Sequence, residues 1–161
     1  RPSSGARHPL NLHDAIDDML MLKKNEFNKE NIQLIKEYSD YLPEVNVVED
    51  QIKQVILNIL QNANEACPKG GAITIRTQAF DSVVEVTIED TGQGIQQKYM
   101  EKLFDPFFTT KGEVKGTGLG LSVSYGIIKR HDGDIKVRST EGKGTKFIIT
   151  LPVKASVQEP T

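Results

Sequence analysis

A chain of 161 residues, 37% hydrophobic and 26% charged, is long enough to close one hydrophobic core and is mixed in a way that excludes a disordered or membrane-spanning chain. A net charge of −2 provides no basic field for nucleic acid or an anionic membrane, so any phosphate recognition must be local. The single cysteine, Cys67, excludes an internal disulfide and fits a reducing, cytoplasmic setting.

Residues 1–10 open without a methionine or an apolar core and read as a linker or expression scar, which marks the chain as a piece of a longer protein. From Asn11, a cap candidate, to about Lys24, the residues Leu12, Ile16, Met19, Leu20 and Lys23 recur at helical spacing. Asn31 to Tyr38 alternates as a strand, and Tyr41-Leu42-Pro43 turns the chain. Between Glu49 and Cys67, Ile52, Val55, Ile56, Ile59, Leu60 and Ala63 return every three or four residues, a second helix ended by Pro68-Lys69-Gly70-Gly71.

Ala72 to Gln78 and Val83 to Glu89 alternate around Asp81-Ser82 and predict a hairpin. A short helix over Gln96 to Leu103, a polar glycine-rich loop over Thr109 to Gly118 and a helix over Leu119 to Arg130 follow. Ile135-Val137 and Phe147 to Leu151 form a last hairpin across Gly142-Lys143-Gly144, and residues 155–161 read as a tail. Strands that come mostly as hairpins, with helices between them, predict an α+β two-layer sandwich: a mixed, mostly antiparallel sheet with helices on one face and solvent on the other. Its span is 11–154.

Four segments carry chemistry. Asn58, Asn62 and Glu65 share one stripe of the second helix, roughly 125° from the centre of its apolar face. Asn competes with helical backbone bonding, so two on one stripe are either a solvated face or a ligand face whose oxygens suit a Mg²⁺ already bound to phosphate. Asp90-Thr91-Gly92-Gln93-Gly94-Ile95 ends a strand; its carboxylate can accept from an exocyclic amine and its glycines let backbone approach a flat ring, or the segment is a plain turn.

Gly116-Thr117-Gly118-Leu119-Gly120 runs into a helix N-terminus, where free amides and the dipole hold phosphate oxygens, while Lys111 in the loop before it adds a positive charge. Phe104-Asp105-Pro106-Phe107-Phe108 is too apolar to stay wet, and anchors the loop or docks on a partner helix.

In this order and at these separations, the segments resemble the N, G1, F and G2 boxes of the GHKL superfamily, in particular the catalytic domain of sensor histidine kinases, over roughly Leu12 to Leu151. The resemblance implies ATP, with ADP as product, and Mg²⁺ held by Asn62 with Asn58 as its companion. It also implies Asp90 pairing with the adenine amino group, Gly92, Gly94 and Ile95 beside the ring, and Leu103 and Phe108 as pocket wall. Gly116, Thr117, Gly118, Leu119 and Gly120 would be the triphosphate loop, Thr145 the support of the aspartate, and 107–116 an ATP lid.

Glu65-Ala66 stands where many members have Lys-Tyr. It resembles the nitrogen-regulation-type branch, in which Lys111 would replace the absent lysine. Members that hydrolyse ATP carry a glutamate where this chain has Asn58, and an amide is no general base. The implied reaction is therefore transfer to an imidazole on a separate dimerisation and phosphoacceptor helix, with a response regulator downstream. His13 reads as part of the entry segment rather than as that nucleophile, and His8 and His131 as surface residues. A monomer is expected in isolation. A serine kinase of the same superfamily, a true ATPase or chaperone, and an interaction module with plain turns remain the alternatives.

Overall fold

The computed structural model describes residues 5–105 and 120–153. Helix α1 (Leu12–Lys29) begins where the Asn11 side chain accepts from the His13 N–H at 2.8 Å. It runs five residues beyond the expected end because Phe27 continues the buried stripe of Leu12, Ala15, Ile16, Met19, Leu20 and Lys23. Helices α2 (Glu49–Ala66) and α3 (Gly120–Arg130) match their predicted spans to within a residue, and a 3₁₀ helix covers Gln97–Lys102.

Among the described residues there are seven strands: β1 (His8–Leu10), β2 (Ile32–Glu37), β3 (Val45–Val47), β4 (Gly71–Phe80), β5 (Val83–Asp90), β6 (Asp134–Thr140) and β7 (Gly144–Pro152). Five form one sheet in the order β2-β4-β5-β7-β6, with β2 parallel to β4 and every other pair antiparallel. The three helices cover one face. Ile73, Ile75, Val84, Val86, Ile88, Phe147 and Ile149 from the strands share a single buried cluster with Ile16, Ile56, Ile59 and Ile128 from the helices. The opposite face is polar, as the alternation requires: Arg76 bridges Glu37 at 2.6 Å and Glu89 at 2.7 Å across three strands.

Two expectations fail. The segment read as a linker contributes β1, which pairs antiparallel with β3 through His8↔Val47 and Leu10↔Val45. Three-residue strands, one holding Pro9, leave no periodicity to detect. His131, read as a surface residue, is 3% exposed. Gly133 lets β6 start tight against β7, since a Cβ there would meet the Thr150 carbonyl at 2.2 Å, and this folds the turn back over the end of α3. The His131 Nδ1–H donates to the Ile127 carbonyl at 2.8 Å and its Nε2 accepts from the Val48 N–H at 3.1 Å, a pairing only the neutral ring can make. The start of α2 is thereby tied to the end of α3, so the two helices lie antiparallel.

Candidate functional site

Asp90 closes β5 opposite Thr145 of β7 and is 3% exposed. Burial pushes its carboxyl up to about 6 although the Gly92 N–H, at 2.8 Å, and the Thr145 backbone N–H both donate to it. The loop after it is fixed on two sides. Against α2, the Gln93 N–H donates to the Ala66 carbonyl at 2.9 Å, and a Cβ on Gly92 would lie 2.2 Å from that same oxygen. Against the β6–β7 turn, the Gly142 N–H donates to the Gln93 carbonyl at 2.6 Å, and a Cβ on Gly94, at φ +75°, would lie 2.2 Å from the Thr140 carbonyl. Both glycines are thus required by close approach of protein backbone, a reason the sequence reading did not contain.

Sequence reasoning also missed Ser139. Its Oγ accepts from the Ile95 N–H at 2.8 Å, donates to the Gly144 carbonyl at 2.9 Å and sits 2.9 Å from Thr145 Oγ1. Its one proton is committed to Gly144, so the Thr145 hydroxyl donates to it. Thr145 therefore supports Asp90 through its backbone and the loop through Ser139. The cross-strand register Ser139↔Thr145 is the signal that would have located this serine.

On α2, Asn58, Asn62 and Glu65 are all half-buried. Asn58 Nδ2 donates to the Gly120 carbonyl and to Ser124 Oγ, each at 3.1 Å, and Asn58 Oδ1 accepts from Gln54 at 2.7 Å. This asparagine joins the α2 stripe to the first turn of α3. A Cβ on Gly120 would meet only the Asn58 side chain, at an ordinary 3.8 Å. Leu103 is 4% exposed, and Phe104 stacks on Tyr125 of α3 at 5.1 Å, so that part of the aromatic cluster is anchored to the core.

The structure thus brings the α2 stripe, the Asp90 loop, Thr145 and the start of α3 together. Phe108, Lys111, Gly116, Thr117, Gly118 and Leu119 lie outside the described residues. A groove of about 490 Å³ between α1 and β2 is lined by Leu20, Met21, Phe27, Ile32 and Leu34 together with Asp17, Lys24, Asn28 and Lys36, and by none of these candidates.

His13 is drawn away from this site. Its ring stacks on Tyr38 at 4.2 Å, and its Nε2 lies 2.8 Å from Thr77 Oγ1, which also accepts from the Ser39 N–H. The His13 ring is thus tied to the Thr77 hydroxyl of β4. Burial holds the imidazole below its usual range.

Residues 47–155 match the family of histidine kinase-, DNA gyrase B- and HSP90-like ATPases. The chain is 37% identical over 160 residues to the sensor histidine kinase ZraS of Escherichia coli O157:H7, covering 99% of this chain and 34% of that protein. It is 43% identical over 143 residues to sporulation kinase E of Bacillus subtilis, covering 88% of this chain and 19% of that one. It spans, then, about a third or less of these relatives.

The solved catalytic domain of histidine kinase ThkA superposes with a TM-score of 0.83 at 35% identity, over 92% of this chain and 96% of that one. ThkA has also been solved in complex with a response regulator protein, TrrA; there the TM-score is 0.78 at 32% identity, over 91% of this chain and 41% of that one. The chain belongs to the histidine kinase-, DNA gyrase B- and HSP90-like ATPase family and is, within it, a histidine kinase catalytic domain.

Proposed function

We propose that this domain binds Mg·ATP across the α2 stripe and the Asp90 loop and gives the γ-phosphoryl group to a histidine on a separate phosphoacceptor helix. The observation that carries the reading is the Asn58–Gly120 bond, which sets the helix preceded by the glycine-rich segment against the asparagine stripe. Helix α3 then presents its N-terminal amides beside neutral oxygen donors, a donor set suited to a polyphosphate and the hard cation it carries. Mg²⁺ held through Asn62 would neutralise charge developing on the phosphate oxygens.

Asp90 supplies a buried acceptor for the adenine amino group, with Gly92, Gly94, Ile95 and Leu103 around the base. Gly116, Thr117, Gly118, Leu119 and Gly120 would form the triphosphate loop, Lys111 would add charge, and Phe108 would be pocket wall. The acceptor imidazole attacks the γ-phosphorus; the N–P bond forms as the bond to the bridging oxygen breaks, and ADP leaves. With an amide at Asn58, where members that hydrolyse ATP carry a glutamate, that position activates no water, so hydrolysis is slow. His13 is not the acceptor, because its ring is stacked on Tyr38 and its Nε2 is engaged with Thr77, away from the α2 stripe.

Glu65-Ala66, standing where many members have Lys-Tyr, supports a place for the domain in the nitrogen-regulation-type branch. Its partners are the dimerisation and phosphoacceptor helices of the same kinase, followed by a response regulator, as the ThkA–TrrA complex illustrates for a relative. No described helix is long and apolar enough to cross a membrane. We place the domain in the cytoplasm, as a monomer when isolated.

Calorimetric titration with Mg·ADP tests the site: the protein binds, and Asp90→Asn weakens binding at least about tenfold, the loss expected when a buried polar pairing is removed. Mixed with a phosphoacceptor domain and labelled ATP, it yields an acid-labile, base-stable phosphoprotein. Failure to bind Mg·ADP would overturn the reading in favour of an interaction module. An acid-stable product would favour a serine kinase, and steady phosphate release an ATPase.

A further inference from the structure

Lys23 occupies an apolar position of α1, between Met19, Leu20 and Phe27, and is 5% exposed. Its ammonium donates to Glu26 Oε1 at 2.5 Å and to Gln61 Oε1 on α2. Gln61 Nε2 donates in turn to Glu65 Oε2 at 2.9 Å, while Glu26 Oε2 accepts from Asn64 Nδ2 at 2.8 Å. An ammonium can only donate, so Gln61 must turn its oxygen toward Lys23, and its NH₂ is left facing Glu65. Reversing that amide would set donor against donor and oxygen against carboxylate. One charge on α1 therefore fixes an amide on α2 and, through it, the carboxylate of Glu65, which shares the stripe of Asn58 and Asn62.

Stability gives this arrangement no advantage. A charge buried on an apolar stripe is costly until its partners offset it, and a well-packed apolar residue of similar length is commonly as stable. Asn64 Oδ1 is, besides, left buried without a hydrogen-bond partner in the same network. What methionine cannot do at position 23 is orient Gln61.

We propose that Lys23 is a positioning residue of the nucleotide site: through Gln61 it holds Glu65 on the flank of α2. The inference rests on the reading of the α2 stripe as the nucleotide face.

The test is a double-mutant cycle read by calorimetric titration with Mg·ADP, using folded protein at one pH and salt. Lys23→Met and Gln61→Met each weaken binding about three- to tenfold, the scale of a lost hydrogen bond to a charged group. In a Glu65→Gln background Lys23→Met changes affinity by less than about 1.5-fold, because the carboxylate through which it acts is gone. General damage to packing would give the same loss in both backgrounds, and that result overturns the proposal, as does unchanged affinity in Lys23→Met. Should Lys23→Met not fold, Gln61→Met leaves the Lys23–Glu26 pair intact and carries the same comparison. Absence of Mg·ADP binding by the unmodified protein sinks the nucleotide reading first and this proposal with it.

Discussion

Asp90 is held against its own ionisation. Buried at the end of β5, its carboxyl is raised from 3.8 to about 6, so the folded state keeps a proton that the unfolded chain has already released. Between those two values the folded state binds more protons, and stability contributed by this group falls as pH rises through the window. A shift of about two units corresponds to about 3 kcal/mol lost by pH 7. Asparagine has no such titration. In urea unfolding at pH 4 and pH 7, the stability of Asp90→Asn relative to the unmodified protein is expected to rise by about 2 kcal/mol on going to pH 7, while nucleotide binding is weakened. An unchanged difference between the two proteins across that range would show that Asp90 is not held this way. A charge kept in place at such a cost is what a site residue requires and a turn residue does not.

At the level of elements, the Asp90 loop is gripped between the end of α2 and the β6–β7 turn, and its glycines report the grip. Gly92→Ala drives a Cβ to 2.2 Å from the Ala66 carbonyl and can be accommodated only by moving the end of α2. The expected cost is about 1–3 kcal/mol of stability by thermal or urea unfolding, the scale of overpacking. Gly120→Ala meets only an ordinary contact with Asn58 and belongs to a helix, so its stability stays unchanged or rises by up to about 1 kcal/mol. Equal losses in the two variants would refute this account.

The glycine positions and the asparagine stripe were legible in the sequence, because spacing on a helix and adjacency to a strand end are local properties. The five strands of the main sheet and the three helices were legible for the same reason. The braces on the loop were not: Ser139 to Ile95, Gly142 to Gln93 and Glu141 to Gln96 join residues more than forty positions apart, through a register that only the folded sheet defines. The β1–β3 pair escaped because its strands are shorter than one period of alternation can reveal.

Across the whole molecule, α2 and α3 are clamped twice, by Asn58 at the first turn of α3 and by His131 at its end, and only the second clamp titrates. Burial is the largest influence on His131 and lowers its pKa; Arg7 and Arg130 push the same way, and the Ile127 carbonyl and Asp132 oppose. A lowered folded value means that below 6.5 the unfolded chain takes up a proton the folded state refuses, so this group's contribution is complete above 6.5 and is lost as pH falls. His13, also lowered by burial, acts in the same direction.

Asp90 acts in the opposite direction below about 6, which leaves the interval from pH 8 to 6 as the one in which the histidines act unopposed by it. His131→Gln keeps a donor and an acceptor at the clamp without a proton to gain. Its stability by urea unfolding is therefore expected to fall less than that of the unmodified protein between pH 8 and 6, and the two curves should converge toward the acid side. Parallel curves through that interval would mean that His131 takes up its proton in the folded state as readily as in the unfolded chain. The bond it accepts from Val48 could not then exist, and the end of α3 would be held by something else.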